Sequence, residues 1–258
     1  EGKEELRGGK LDEASYLSAF RLGTYIATQF KPIVAKCVYE MTDAKRVLDT
    51  SCGWGDRLAG FFASNAEEYY GCDPNPNTYM RYTEQIDRYN RLLSRPKKVK
   101  IWNCGAEDLP YNELPYIDVA FTSPPYFSTE EYNKGGEYEE DQSWHKFNEY
   151  DKWRDDFYLP VAEKTMSVSK FMFVNIMDPK VHGVRYRSGD ELVDKFEDKF
   201  LAQDIFNLGL GFFDDGLDDR KIKSVAIGDS FTKGVGSIDN LKNGWVELVE
   251  KDMEDIDI

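Results

Sequence analysis

Histidine and cysteine are scarce in this chain. Its 258 residues include two histidines, His145 and His182, and four cysteines, Cys37, Cys52, Cys72 and Cys104. No C-x-x-C pair occurs, so no zinc or other metal site is expected. Three of the cysteines close apolar runs, the pattern of buried reduced thiols in a cytoplasmic protein. No stretch of about 18 or more apolar residues is present, so no membrane span is expected. No charged-then-apolar leader with a cleavage signature opens the sequence. Positive charge is also short: 33 Lys and Arg stand against 48 Asp and Glu, a formal charge of −15. That argues against broad nonspecific binding to nucleic acid, which rests on a basic surface, and leaves room for a local basic groove.

What is present suffices for one substantial core, with 41% hydrophobic residues. The simplest organisation is a single domain over 1–258, opening with a helical segment within 1–40. Leu11 to Glu40 carries apolar residues at helical spacing, broken near Lys31-Pro32. The pattern then changes to short apolar runs: "RVLDT" (46–50), "EYYGCD" (68–73), "VKIWNCG" (99–105), "IDVAFTS" (117–123) and "FMFVNIM" (171–177). Helix-like stretches lie between them, at 56–63, 77–93 and 148–169. Strands alternating with helices predict an α/β fold, a mostly parallel Rossmann-like sheet with helices on both faces. A helix over 189–200 and strands within 200–211 and 223–231 follow. "WVELVEK" (245–251) is one more strand candidate, and the acidic tail "DMEDIDI" ends the sequence.

Three consecutive strand ends carry ligand-type groups. The first runs into "LDTSCGWGDRLAG", a D-x-x-x-G-x-G turn built on Asp49, Gly53 and Gly55 that opens a helix. Glycines let backbone pass close to a ligand, and a helix N-terminus adds partial positive charge. The second ends in "CDPNP", with Asp73 18 residues past Gly55, a spacing that suits ribose hydroxyls. The third leads to Ala106, Glu107 and Asp108, whose acids could accept from an adenine amino group or cap a helix. In open α/β sheets, ligands bind outside the carboxyl ends of the strands. The fourth strand ends in "TSPPYF".

On these motifs the chain resembles the S-adenosylmethionine-dependent methyltransferases of the seven-stranded class. More narrowly, it resembles the amino-group DNA methyltransferases, over about Phe30 to Ile176. "FKP" (Phe30, Lys31, Pro32) is similar to the motif those enzymes place beside the methionine end of the cofactor. "LDTSCGWG" is similar to their cofactor loop (Asp49, Thr50, Ser51, Gly53, Gly55), "CDPNP" to their ribose-binding segment (Asp73, Pro74), and "TSPPYF" to their [D/N/S]-P-P-[Y/F] catalytic motif. The resemblance implies S-adenosyl-L-methionine as cofactor and cytosine N4 or adenine N6 as the methyl acceptor. Serine in the first position is commoner among the cytosine enzymes. Two departures stand out. The family often has an acid where this chain has Gly105, which moves the adenine contact to Glu107 or Asp108. No large separate target-recognition region is evident after Met177.

The chemistry asked of that motif is specific. An exocyclic amino nitrogen is a poor nucleophile until its hydrogens find acceptors and it is aligned with the methyl donor. Ser123 offers a hydroxyl oxygen and Pro124 a carbonyl, with Pro125 stiffening the turn. Tyr126 can stack on an extruded base, and Phe127 either lines the same wall or packs in the core. No cysteine follows a proline, so a covalent carbon-5 mechanism is not expected. The insert "STEEYNKGGEYEEDQSWHKF" (128–147) is either a solvated loop or a lid. "PKVHGVRYRSGD" (179–190) sets Lys180, Arg185 and Arg187 around Tyr186, a pattern suited to phosphate and base contacts or to an ordinary surface loop. The expected partner is nucleic acid, DNA before RNA. A cofactor-binding subunit that relies on a partner protein for target recognition is the non-enzymatic alternative.

Overall fold

The computed structural model describes residues 30–129, 131–196, 202–207 and 222–228, the last two segments as backbone. The described elements lie in the second of two compact units, Glu1–Phe30 and Lys31–Ile258. The expected helical stretch before Phe30, the strand candidate at 245–251 and the acidic tail lie outside the described residues.

The chain opens with helix α1 (Pro32–Met41), which starts at the proline that breaks the sequence pattern. Proline is tolerated at the first helical position because its missing N–H would be unpaired there anyway. Then β1 (Arg46–Asp49), α2 (Asp56–Ala63), β2 (Glu68–Cys72), α3 (Pro76–Asn90), β3 (Lys98–Trp102) and β4 (Ile117–Thr122) follow. A short α4 (Ser143–Lys146) leads to one helical run: α5 (Tyr150–Lys152), a π-helical segment Trp153–Tyr158, and α6 (Leu159–Val168). Strand β5 (Ser169–Met177), a hairpin of β6 (Lys180–Val181) and β7 (Val184–Arg185), α7 (Ser188–Phe196), β8 (Ala202–Asn207) and β9 (Ile222–Gly228) complete the order.

The sheet order is β3-β2-β1-β4-β5-β9-β8. Its first five strands in that order, β3, β2, β1, β4 and β5, are mutually parallel. Strand β9 adds antiparallel to β5, and β8 antiparallel to β9, extending the sheet to seven. The inner strands read as unbroken apolar runs because helices cover both faces. Val47, Leu48, Ile117, Val119 and Ala120 are fully buried. Burying each of the larger side chains is worth roughly 1.5–3 kcal/mol. Strand β3, at the edge, has no fully buried residue. Beneath the sheet, the backbone N–H groups of Lys45 and Arg46 both donate to Asp118 Oδ2, tying the start of β1 to β4.

The order matters for function. Strand β1 has β2 on one side and β4 on the other, so chain direction away from it reverses at this point. The crevice between the carboxyl ends of β1 and β4 is the topological switch point, where such folds take their ligands.

Candidate active site

The turn after β1 is organised by Asp49, which is fully buried. Its Oδ2 accepts from Arg57 Nε and from the Tyr69 hydroxyl, both at 2.8 Å, and its Oδ1 accepts from the Ser51 N–H at 3.0 Å. Arg57 also donates to the Ser51 carbonyl. Burial works against the Arg57 charge, but the adjoining carboxylate outweighs it and raises the guanidinium above its ordinary range. Asp49 is therefore spent inside the protein, shaping the loop rather than facing a ligand. Thr50 Oγ1 donates to Thr122 Oγ1 at 3.0 Å, joining the ends of β1 and β4 across the switch point.

Gly55 is the left-handed N-cap of α2, with φ +85°. A Cβ there would stand 2.2 Å from Gln85 Oε1, a flexible side chain that can swing away, so it is the left-handed conformation that requires glycine. The Gly53 N–H donates to Asp73 Oδ2 at 3.0 Å, and the Asn75 N–H to Asp73 Oδ1 at 2.9 Å. Asp73 is 8% exposed. Burial lifts its carboxyl to about 6, against the pull of the Asn75 and Gly53 donors. Asn103 Nδ2 donates to the carbonyls of Asp73 and Pro74 at 3.0 and 3.1 Å, tying the ends of β2 and β3 together.

At the third strand end, Gly105 is where the sequence departs from the family pattern. The Glu107 side chain folds back over it, and a Cβ on Gly105 would lie 2.4 Å from Glu107 Oε2. A carboxylate thus occupies the ground that a side chain at 105 would need. Lys146 Nζ, at the end of α4, holds Glu107 Oε1 at 2.9 Å, and Lys164 Nζ donates to the Glu107 carbonyl at 3.0 Å. Asp108 is exposed. Nearby, the neighbouring Cys72 thiol holds the Cys104 thiol below its usual range. The four cysteines are free thiols, three buried and Cys104 partly exposed.

The fourth strand delivers the Pro-Pro motif to the same edge. Ser123 Oγ and the Tyr126 hydroxyl are 2.9 Å apart. Asn175 Nδ2, from β5, donates to both, at 3.2 and 3.1 Å. Pro124 is buried; Ser123, Pro125 and Tyr126 are partly exposed. The Phe127 N–H donates to the Pro125 carbonyl at 2.9 Å, and Phe127 takes φ +50°. Of the two roles expected for Phe127, core packing is the one found: it is 4% exposed and meets Tyr150, Trp153 and Tyr186 edge-on or tilted.

Lys31 precedes α1 and Pro32 begins it; both are exposed. The Pro32 carbonyl packs against Gly60 of α2. Phe30 belongs to the other compact unit. The basic stretch is a hairpin turned at His182 (φ +48°) and Gly183 (φ +82°), with Lys180, Arg185 and Arg187 exposed. Its Tyr186 does not stand free among the basic residues: it stacks on Tyr150 at 3.9 Å and closes over Phe127. The hairpin is thereby fixed beside the motif. In the 128–147 insert, described apart from Glu130, short turns replace a long open loop. Among the described residues no group of three His, Cys, Asp or Glu is arranged to hold a metal, and no helix is long and apolar enough to cross a membrane.

Asn175 is the site residue that sequence reading misses. Its one signal is a lone polar side chain inside the apolar run "FMFVNIM", since a buried amide must find partners.

No protein-family model and no curated protein matches the sequence. Solved structures do. A candidate rRNA methylase from Clostridium thermocellum aligns at TM-score 0.50 and 13% identity, over 79% of this chain and 100% of that one. The N-terminal domain of EvdMO1, solved with S-adenosylhomocysteine bound, aligns at 0.50 and 11%, over 85% of each chain. An O-methyltransferase family protein from Burkholderia thailandensis aligns at 0.50 and 12%, over 85% of this chain and 59% of that one. At such identities the likeness establishes the fold: the chain has the Rossmann-like α/β architecture found in methyltransferases.

Proposed function

We propose that this protein is an S-adenosylmethionine-dependent methyltransferase acting on the exocyclic amino group of a DNA base, cytosine N4 or adenine N6. The observation that carries the reading is the Ser123-Pro124-Pro125-Tyr126 segment at the end of β4, one strand from the glycine turn of β1 across the switch point. The residues at the neighbouring strand ends fit the cofactor. Asp73 keeps lone pairs for ribose hydroxyls beyond the two N–H groups it accepts. Glu107, lying over Gly105, brings a carboxylate to the place where the adenine amino group is expected. At Gly53 the backbone stands open, the nearest atom to an added Cβ being the Ser51 carbonyl oxygen at 3.8 Å, and it faces the methionine end in this reading.

When bound, the cofactor supplies a methyl group on a sulfonium sulfur; its transfer to an amino nitrogen leaves a neutral thioether and releases one proton. The protein's part is alignment. Ser123 Oγ and the Pro124 carbonyl accept the two amino hydrogens, which localises the nitrogen lone pair toward the methyl group. No residue need be a strong base, because the proton leaves a cationic nitrogen after transfer. Lys180, Arg185 and Arg187 on the hairpin beside the motif serve as phosphate contacts. RNA is the second reading, supported by the likeness to the candidate rRNA methylase from Clostridium thermocellum. Recognition supplied by a partner subunit is compatible with either.

The test is methylation with labelled S-adenosylmethionine on DNA, tRNA and rRNA side by side, followed by digestion to nucleosides and mass spectrometry. N4-methylcytosine or N6-methyladenine in DNA is expected. Methylated base in RNA alone shifts the assignment to RNA, and none in any polymer with cofactor binding intact refutes the reading.

A further inference from the structure

Glu107 is held from the insert as well as from its own side of the site. Nζ of Lys146, the last residue of α4, lies 2.9 Å from Glu107 Oε1, with 30% of the lysine side chain and 18% of the glutamate side chain exposed. Burial works against the Lys146 charge, but the Glu107 carboxylate outweighs it and raises the ammonium above its ordinary range. Lys164 Nζ fixes the main chain of the same residue by donating to its carbonyl at 3.0 Å. One cation thus holds the carboxylate and another the backbone, and the carboxylate lies over Gly105. A carboxylate has about four lone-pair positions, so the bond from Lys146 to Oε1 leaves it able to accept an amino hydrogen as well.

The helix that carries Lys146 has a second attachment. It packs on the Phe127–Thr129 turn, which directly follows Ser123–Tyr126, and on the π-helical segment. Phe147, the next residue, stacks on Phe157 at 5.3 Å. Three buried polar atoms where α4 meets that turn have no hydrogen-bond partner: Thr129 Oγ1, Gln142 Nε2 and Ser143 Oγ. Each has given up water without recovering a bond. These side chains therefore do not pin α4 in place, and the Lys146–Glu107 pair and the Phe147 stack do.

On the reading that S-adenosylmethionine is the cofactor, we propose that Lys146 is a positioning residue with two linked effects. It aims the Glu107 carboxylate at the adenine amino group, and through α4 it ties occupation of the adenine end to the turn behind the Ser123–Tyr126 motif. The linkage is reciprocal: cofactor on Glu107 steadies α4, and a steadied α4 strengthens cofactor binding. The insert is then part of the cofactor site, and the motif is firmest once cofactor is in place.

The full chain is titrated by calorimetry with S-adenosylhomocysteine and with its 6-deamino analogue, in which hydrogen replaces the adenine amino group. The ratio of the two affinities is compared between wild type and Lys146→Met, which keeps an apolar stem and loses the charge. The wild-type ratio should be about tenfold, on the scale of one hydrogen bond to a charged acceptor, and should fall to about twofold or less in Lys146→Met. A packing role alone would weaken both ligands equally and leave the ratio unchanged. Hydrogen exchange reads the second effect at the hydrogen-bonded amides of Phe127, Thr129, His145 and Phe147. In wild type, S-adenosylhomocysteine at saturation should slow them by about fivefold or more, and the saturating analogue should not. Equal affinity ratios in wild type and Lys146→Met overturn the proposal, as does equal slowing by the two ligands. Should Lys146→Met fail to fold, the wild-type exchange comparison decides. Wild-type protein that binds neither ligand removes the cofactor reading and this one with it, whereas binding of both without discrimination removes only this one.

Discussion

Asparagine in place of Asp73 keeps the shape of the β2 end and removes its charge, so it isolates what that charge does. Burial raises the Asp73 carboxyl from its ordinary 3.8 to about 6. The folded chain therefore holds this proton more tightly than the unfolded chain does. The sign follows: the contribution to stability is fully present below about pH 4 and is lost as pH rises through about 6. Its size is about 3 kcal/mol, on the scale of 1.36 kcal/mol for each tenfold change in acidity. The absolute stability of Asp73→Asn is a poor readout, because the new amide can accept only one of the two N–H groups now bound by Asp73. The slope is a good one. Urea unfolding from pH 4 to 7 should show wild-type stability falling by about 2.5 kcal/mol relative to Asp73→Asn, most of that total. On the proposed reading, the same carboxylate is the form that accepts ribose hydroxyls. Calorimetric affinity for S-adenosylhomocysteine should therefore rise about tenfold from pH 5 to 7 in wild type and stay flat and weaker in the variant. Parallel stability curves for the two proteins, together with a flat wild-type affinity, would refute both the burial argument and the ribose assignment.

Three further outcomes follow from the site. Ser123→Ala should lower kcat by about 10- to 100-fold, with S-adenosylhomocysteine affinity unchanged, because the acceptor acts on the reacting nitrogen and not on the cofactor. Gly55→Ala forces a side chain into φ +85° and against Gln85; urea titration should show a loss of about 1–3 kcal/mol. Arg57→Ala leaves the Asp49 carboxylate buried without its cation, and the same titration should show a loss of about 3–5 kcal/mol.

The sequence announces the sheet because two-sided burial writes itself as continuous apolar runs. Strands β1, β4 and β5 are legible for that reason, and Pro32 marks the start of α1 as expected. Ends are less legible. The run at 99–105 continues past Trp102, where β3 stops and Asn103 turns to bond the carbonyls of Asp73 and Pro74. The run at 148–169 does contain a helix, but no periodicity betrays the π-helical segment at Trp153–Tyr158. There Trp153 is fully buried and stacks on Tyr158 at 4.8 Å.

The site divides along the same line. Residues that act through the backbone or through a fixed strand end, such as Gly55, Asp73 and the Pro-Pro turn, leave motifs because local geometry demands their residue types. Residues that act across the sheet leave none. Asn175 lies 52 positions from Ser123 in sequence, and only the parallel pairing of β4 with β5 brings them together. Arg57 is in plain view, yet nothing local says that it is buried against Asp49. Tyr186 is the converse case: its basic neighbours suggest a surface ring, and the aromatic cluster around Phe127 claims it instead. On the proposed reading that cluster has a functional consequence. Phe127 directly follows the motif, so packing Tyr150, Trp153 and Tyr186 around it anchors the C-terminal side of Ser123–Tyr126, while Asn175 anchors the hydroxyls. A motif held from both sides is pre-organised, and pre-organisation is what an amino nitrogen with a delocalised lone pair requires of its acceptors.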